Sequence, residues 1–182
     1  PRLKADKDAV LAAVRQDGFA IEFASDELKA DPLVMRECNW ERTKSVLQYA
    51  NESAKDDYDH VINVIKNDGR ELKYASARLR QNHQVVYAAV SQNGAALYFV
   101  SKVLQDNRDI VLKAVESHGL SLQYAGEELR SDREVVLTAV SNDSNALAWA
   151  SRILRIDSEI ALAAIYTKGS GMCKAIGMTC GG

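Results

Sequence analysis

The chain repeats one short sequence pattern with a period of 25 residues. A small residue marks the centre of each copy. Successive markers are 26 residues apart once and 25 residues apart five times. The marker positions are Ala24, Ala50, Ala75, Val100, Ala125, Ala150 and Ala175. An internal period of roughly 20–50 residues is typical of solenoids and related arrays. Each copy is therefore expected to bury its apolar residues against its neighbours.

Apolar residues hold fixed places around each marker. In the third copy, Leu72, Ala75 and Leu79 are three and four residues apart, a spacing that puts them on one face of an α-helix. Tyr74 must then point to another side, which predicts a helix with neighbours on two sides and an aromatic residue that packs between them. The aromatic residue recurs directly before the marker, at Phe23, Tyr49, Tyr74, Phe99, Tyr124 and Trp149.

A second helix is predicted upstream of the first in every copy. Segments such as VYAAV (86–90) and VLKAV (111–115) place apolar residues four apart. An Asp or Asn precedes each of these segments, and we interpret it as the N-cap that accepts hydrogen bonds from the free N–H groups of the first turn. These positions are Asp6, Asp31, Asp57, Asn82, Asn107, Asp132 and Asp157.

A turn separates the two helices of a copy, and glycine occupies it in five of six cases. Glycine reaches positive φ without a steric clash, so we predict that it ends the first helix in the left-handed conformation. The pairs are Asp17-Gly18, Asp68-Gly69, Asn93-Gly94, His118-Gly119, Asp143-Ser144 and Lys168-Gly169.

These patterns predict an all-α solenoid of about seven two-helix repeats, which the low content of two prolines favours. We expect a single helical-repeat domain over residues 1–182. Its units are about 4–28, 29–54, 55–79, 80–104, 105–129, 130–154 and 155–182.

The second and last units depart from the pattern. The second, VMRECNWERTKSVLQYANES (34–53), has no glycine turn and carries extra residues. We interpret its Arg36, Trp40 and Arg42 as a candidate partner-binding site; the alternative is a tolerated insertion in which Trp40 fills a gap between units. The last unit degenerates into a C-terminal cap, as a repeat with one neighbour does. Its Cys173 and Cys180 could pair, bind a metal with an outside ligand, or stay reduced, and we favour reduced thiols.

No residue pattern of known catalytic chemistry occurs in the sequence. The P-loop, the nucleophile elbow and His-Glu-x-x-His are all absent. The histidines His60, His83 and His118 occupy three different repeat positions and are expected to be solvated surface side chains. We therefore expect no enzyme activity, no catalytic residue, no cofactor and no metal.

Charge and cysteine content indicate the surroundings. A net charge of -2 gives no overall attraction for nucleic acid, so nucleic acid is not expected as a partner. The longest apolar run, residues 160–166, is far shorter than the ~20 residues that span a bilayer, so we expect a soluble chain without a membrane-spanning segment. Three cysteines are too few for a disulfide scaffold, which favours an intracellular location, cytoplasmic or organellar, with a transit peptide removed in the second case.

The clearest copies are DREVVLTAVSNDSNALAWASRIL (132–154) and NRDIVLKAVESHGLSLQYAGEEL (107–129). Their pattern resembles that of the family called domain of unknown function 4116, over nearly the whole chain. The resemblance implies a helical-repeat fold. It implies no catalytic residues, because the family has none assigned.

Three hypotheses for function follow. The first is a non-enzymatic scaffold or protein–protein interaction module, or a structural subunit of a larger assembly, with specificity in the residues that differ between copies. The second is a regulatory or targeting fragment of a larger enzyme or effector. The third is a repeat protein that binds single-stranded RNA, because aromatic residues and arginines recur; we disfavour it, since the aromatic residue is expected to pack.

Overall fold

A computed structural model describes the backbone of residues 2–38 and 47–175 and the side chains of residues 3–38 and 47–167. Within those ranges the chain forms helices and turns and no β-strand. The α-helices are α1 (Lys7–Gln16), α2 (Pro32–Glu37), α3 (Glu52–Asp56), α4 (Tyr58–Ile65), α5 (His83–Gln92), α6 (Lys102–Gln105), α7 (Arg108–Ser117), α8 (Arg133–Asn142), α9 (Arg152–Arg155) and α10 (Ser158–Ala175). The 3₁₀-helices are Arg2–Ala5, Gly18–Phe23, Leu28–Ala30, Gly69–Tyr74, Leu79–Gln81, Gly94–Phe99, Gly119–Tyr124, Leu129–Ser131 and Ser144–Trp149.

The chain divides into two compact units, Pro1–Gln92 and Asn93–Gly182. In the first unit α1 packs against α2, and α4 against α5. In the second, α7 packs against α8, and α8 against α10. Successive repeats thus stack within each unit, and the prediction of an all-α repeat solenoid is confirmed. The single domain over residues 1–182 stays a prediction.

The predicted N-caps form as expected. Asp132 Oδ1 accepts hydrogen bonds from the backbone N–H groups of Glu134 at 2.9 Å and Val135 at 3.1 Å. The same bonds to the second or third residue after the cap recur at Asp6, Asp31, Asp57, Asn82, Asn107 and Asp157. The recurrent carboxylates and amides therefore begin helices, which accounts for their 25-residue spacing.

The caps make a measurable contribution to stability. Asn107→Ala removes an uncharged cap whose Oδ1 accepts from the N–H of Ile110 at 3.1 Å, and we expect a loss of about 1 kcal/mol in the free energy of unfolding. Ser101→Ala is the matched control, because Ser101 precedes α6 without a side-chain capping bond. Urea unfolding monitored by circular dichroism measures both. Equal losses in the two variants would contradict the capping role.

In five repeats, the helix that ends at the recurring aromatic residue is a six-residue 3₁₀-helix, not the predicted α-helix. It ends at the aromatic residue, as in Gly69–Tyr74, and the marker Ala75 that follows is extended with φ -64° and ψ 156°. Leu79 then begins a separate short helix. The spacing of three between Leu72 and Ala75 fits the three residues per turn of a 3₁₀-helix equally well. Both residues are buried, as predicted, but each regular repeat has three helical segments instead of two.

The residue before the turn glycine caps this 3₁₀-helix, a role that the sequence reasoning missed. Asp68 Oδ1 accepts from the N–H of Arg70 at 2.9 Å, and Asp143 Oδ1 accepts from the N–H of Asn145 at 2.9 Å. Asp17 and Asn93 do the same. Asp-Gly and Asn-Gly pairs at this position were therefore the signal for a new helix start.

Gly94 and Gly119 are required by close packing and not by positive φ, so the predicted left-handed caps are wrong at these two turns. A Cβ on Gly119 would lie 2.4 Å from the carbonyl oxygen of Ala139, in the next repeat. The Gly119 N–H donates to Asn142 Oδ1 at 2.8 Å, and Asn142 Nδ2 donates back to the carbonyl of Glu116 at 2.8 Å. The last residue of one helix therefore holds the turn of the repeat before it.

The same clamp occurs elsewhere with different side chains. Gln92 accepts from the N–H of Gly69 at 2.7 Å and donates to the carbonyl of Asn67 at 2.9 Å. Ser117 Oγ accepts from the N–H of Gly94 at 3.1 Å. Neighbouring repeats are thus joined by hydrogen bonds from side chains to backbone groups.

The last unit differs from its prediction in one respect. Helix α10 continues from Ser158 to Ala175, so no turn forms at Lys168-Gly169. The glycine turns at Gly94 and Gly119 are packed against the following helices, α7 and α8. At the end of the described chain, a single helix replaces the predicted hairpin.

Candidate functional site

Arg36, the first of the predicted partner-binding residues, lies on the short helix α2. This helix has six residues where α5, α7 and α8 have ten, and it ends at Glu37, with Cys38 as its C-cap. The Arg36 side chain is exposed, and its Nη2 lies 3.4 Å from Glu37 Oε1. Arg15 Nε donates to Glu37 Oε2 at 3.0 Å, and the two guanidinium groups, chiefly that of Arg15, hold the pKa of Glu37 below its ordinary value.

Trp40 and Arg42 lie outside the described residues. Neither the contact site formed by Arg36, Trp40 and Arg42 nor the alternative in which Trp40 fills a gap is tested by the structure. Both stay predictions.

A cleft of about 780 Å³ lies beside Arg36, between α2 and α4. Leu33 and Met35 contribute apolar surface from α2. Helix α4 and its cap contribute Asp57 and His60, and Lys66 follows the helix. Acidic and basic groups are mixed along the walls, so the cleft has no preference for ligands of one charge sign.

His60 is the one unusual titratable group of this cleft. Its Nε2 is buried without a hydrogen-bond partner among the described residues. Burial lowers the pKa of His60, and the charge of Asp57 opposes the effect. The expectation of a solvated surface side chain is therefore wrong for His60, while His83 and His118 are exposed. The sequence signal for the burial of His60 was its spacing of four residues from Val64, because residues four apart lie on the same face of a helix and Val64 is buried.

The lowered pKa predicts how His60 affects stability. The folded chain favours the neutral imidazole, so the unfolded chain binds more protons and stability rises with pH. The contribution is complete above the ordinary pKa of about 6.5 and is lost as the pH falls through and below it. We expect wild-type unfolding free energy to fall more between about pH 7.5 and 5.5 than that of His60→Gln. Parallel pH profiles in urea titrations would contradict this expectation.

The recurring aromatic residues are partly exposed instead of buried in the core. Phe23 is 63% exposed and Trp149 is 42% exposed, while Tyr49, Tyr74, Phe99 and Tyr124 are half-buried. Their contacts reach the preceding repeat: the Tyr74 hydroxyl donates to Gln48 Oε1 at 2.9 Å, and the Tyr124 ring lies 5.2 Å from that of Tyr98. Tyr74 and Tyr124 therefore contact side chains of the preceding repeat while part of each residue stays exposed.

Cys38 carries the thiol that the structure describes, since Cys180 and the side chain of Cys173 lie outside the described part. It is buried, and its Sγ lies 3.4 Å from the carbonyl oxygen of Val34. Burial raises the pKa of the Cys38 thiol to about 12, so it is protonated and a poor nucleophile at neutral pH.

In the described ranges no three His, Cys, Asp or Glu side chains converge as a metal site would require. Nor does any helix within those ranges have the length and apolar character needed to cross a membrane.

The stacked repeats, their caps and their backbone clamps define a helical-repeat protein without strands in the described chain. A family model, Domain of unknown function (DUF4116), matches residues 1–38, 57–105 and 107–155. These segments cover most of the chain, which therefore belongs to the DUF4116 family, as its repeated pattern predicted. The unmatched residues 39–56 include most of the irregular second unit. No curated protein and no solved structure matches the chain.

Proposed function

We propose that the chain is a non-enzymatic interaction module that binds a protein partner, on its own or as a subunit of a larger assembly. The recurrent polar residues support this proposal, because capping and clamping hydrogen bonds use them. Specificity is then left to exposed residues that differ between copies. We also infer a reducing intracellular compartment, which the free and buried thiol of Cys38 supports.

The observation that carries the proposal is an exposed apolar surface on α10. Ile165 is 68% exposed, whereas Val140, at the matching position of α8, is fully buried beneath α10. Leu162 and Tyr166, which lie three residues before and one after Ile165, are also exposed. Together they cover one face of the helix. Exposed apolar surface of this kind marks protein–protein contact sites.

A pull-down with matched variants tests the proposal. The tagged chain is incubated with extract from its source organism, beside the double variant Leu162→Asp, Ile165→Asp. The matched control is Val103→Asp, which places the same charge on a 79% exposed apolar side chain of α6 in the same unit. We expect a stoichiometric protein partner with the wild type and the control, and its loss with the double variant. Circular dichroism of each variant checks the fold.

No retained protein, or equal retention by all three chains, would contradict the proposal. Conversion of a small molecule by the purified chain would contradict its non-enzymatic part.

A further inference from the structure

A second cleft, of about 370 Å³, lies between the Leu129–Ser131 segment and α9 in the second unit. Its walls carry the guanidinium groups of Arg130, Arg152 and Arg155 against one carboxylate, that of Glu127. The exposed indole of Trp149 stands at the same cleft. The N–H of Ser151 donates to the carbonyl of Arg130 at 2.8 Å, which ties the two walls together. The cleft is thus a fixed, positively charged recess beside an aromatic ring.

The positive charges of the arginines in this cleft are paired with few acidic side chains of the chain itself. Among the described residues, the side chains of Arg152 and Arg155 form no ion pair or hydrogen bond. Arg130 Nη2 lies 3.8 Å from the largely exposed Glu127 Oε1, and Arg130 Nε is buried without a hydrogen-bond partner. The Ser151 hydroxyl likewise makes no capping bond to α9. Hydrogen-bond donors at this site are therefore available to an acceptor from outside.

In two of the other repeats, a carboxylate of the chain itself occupies the matching place. In the first unit, Asp56 accepts hydrogen bonds from Ser76 Oγ and, at 3.0 Å, from Arg78 Nε. Ser76 matches Ser151, because both follow the marker alanine. Asp56 directly precedes its N-cap, and the residue in the same position before Asp132 is Ser131. The repeat with the arginine cleft therefore lacks the carboxylate that its serine would bind.

Within the second unit, Asp106 holds the position that matches Asp56. It also directly precedes an N-cap, Asn107. A Cβ added to Gly126 would lie 1.6 Å from Asp106 Oδ1, so the carboxylate occupies the space beside Gly126. Gly126 stands where four other repeats have a serine, namely Ser25, Ser76, Ser101 and Ser151. Two repeats thus supply their own carboxylate beside the residue after the marker, and the repeat with Ser131 does not.

We propose that this cleft binds the carboxylate side chain of an acidic segment of a partner protein. The partner's carboxylate takes the place that Asp56 holds in the first unit, with Ser151 and the arginines as donors. Arginine forks suit carboxylates, and the Trp149 ring offers contact area for the residue next to the acidic one. The inference rests on the proposed protein-binding function and adds the chemistry of the partner.

The test places a carboxylate at position 131, where Asp56 and Asp106 stand in two other repeats. Ser131→Asp should fill the cleft from within, and Ser131→Asn is the matched uncharged control; Ser131 is exposed, so both fit. The probe is a fluorescein-labelled decapeptide rich in Asp and Glu, measured by fluorescence anisotropy at about 50 mM salt, where surface charges are weakly screened. We expect Ser131→Asp to weaken binding about tenfold and Ser131→Asn to weaken it less than about threefold.

Further variants locate the binding. Arg152→Ala and Arg155→Ala should each weaken binding by about fivefold or more, whereas Arg70→Ala, an exposed arginine of the first unit, should leave it unchanged. An Asn and Gln version of the peptide should not bind. No binding by the wild type, or equal binding by wild type and Ser131→Asp, would overturn the inference. Binding of a phosphoserine peptide or single-stranded RNA more than about tenfold tighter than the acidic peptide would overturn the choice of carboxylate.

The two proposals fail separately. A partner captured from extract equally by wild type and Ser131→Asp leaves the interaction function standing and overturns the cleft as its site. Failure to capture any partner contradicts the function, while the peptide assay on purified protein still decides the charge preference of the cleft.

Discussion

Gly119→Ala will lower the free energy of unfolding by about 2–4 kcal/mol. The new Cβ would lie 2.4 Å from the carbonyl oxygen of Ala139 and 2.9 Å from the amide nitrogen of Asp143. Both are backbone atoms of the next repeat and cannot rotate away, so the repeats must move apart. That movement also weakens the bond from the Gly119 N–H to Asn142.

The control for Gly119→Ala comes from the chain itself. Ser144 holds the matching turn position one repeat later and already has a Cβ, so Ser144→Ala should change stability by less than about 0.5 kcal/mol. Urea unfolding of both variants, followed by circular dichroism at 222 nm, measures the difference. A loss below about 0.5 kcal/mol for Gly119→Ala would show that neighbouring repeats separate without cost, which contradicts the close packing of the turn.

Leu122→Ala will cost about 2–5 kcal/mol, because Leu122 is fully buried and its truncation leaves a cavity. Tyr124→Ala, two residues later, should cost less, about 1–2 kcal/mol, since the ring is half-buried and only part of its area is removed from water. The pair therefore measures which side of the 3₁₀-helix faces the core.

Thermal or urea unfolding of the two variants gives the order directly. A loss with Tyr124→Ala that exceeds the loss with Leu122→Ala would place the Tyr124 ring in the core and contradict its partial exposure. Near-UV circular dichroism of Leu122→Ala confirms that the remaining rings keep their environment.

Much of the fold was predictable because the repeat separates constant positions from variable ones. Asp132 was predicted as a cap from its place before an apolar segment, and the hydrogen bonds to Glu134 and Val135 confirm it. Leu72 and Ala75 were predicted as core residues, and both are buried. Positions that perform the same local task in every copy are visible in one sequence.

The type of the helix that ends at the aromatic residue was not predictable from the spacing of its apolar residues. A separation of three residues fits both an α-helix and a 3₁₀-helix, and nothing in the apolar pattern shows that Ala75 is extended. The role of Gly119 was missed for a related reason. Its constraint comes from Ala139 in the next repeat, and a contact between repeats has no trace in local sequence.

The candidate site formed by Arg36, Trp40 and Arg42 stays a prediction, because two of its three residues lie outside the described part of the chain. Attention to the irregular second unit selected Arg36, which lies on a cleft of mixed charge. The arginine cleft of the second unit depends on Ser131 standing where Asp56 and Asp106 occur in other copies. That difference was readable in the sequence, but its meaning required the contact between Asp56 and Ser76 across two repeats.

The clamps between repeats have a consequence for how such proteins change in length. Gln92, Ser117 and Asn142 are different side chains, yet each bonds a turn N–H that every repeat with a glycine turn possesses. A duplicated 25-residue segment therefore carries both the turn N–H and the helix-end side chain that bonds the turn of the repeat before it. Gene duplication can lengthen the array one unit at a time without inventing a new interface, and each added copy is then free to acquire its own surface residues.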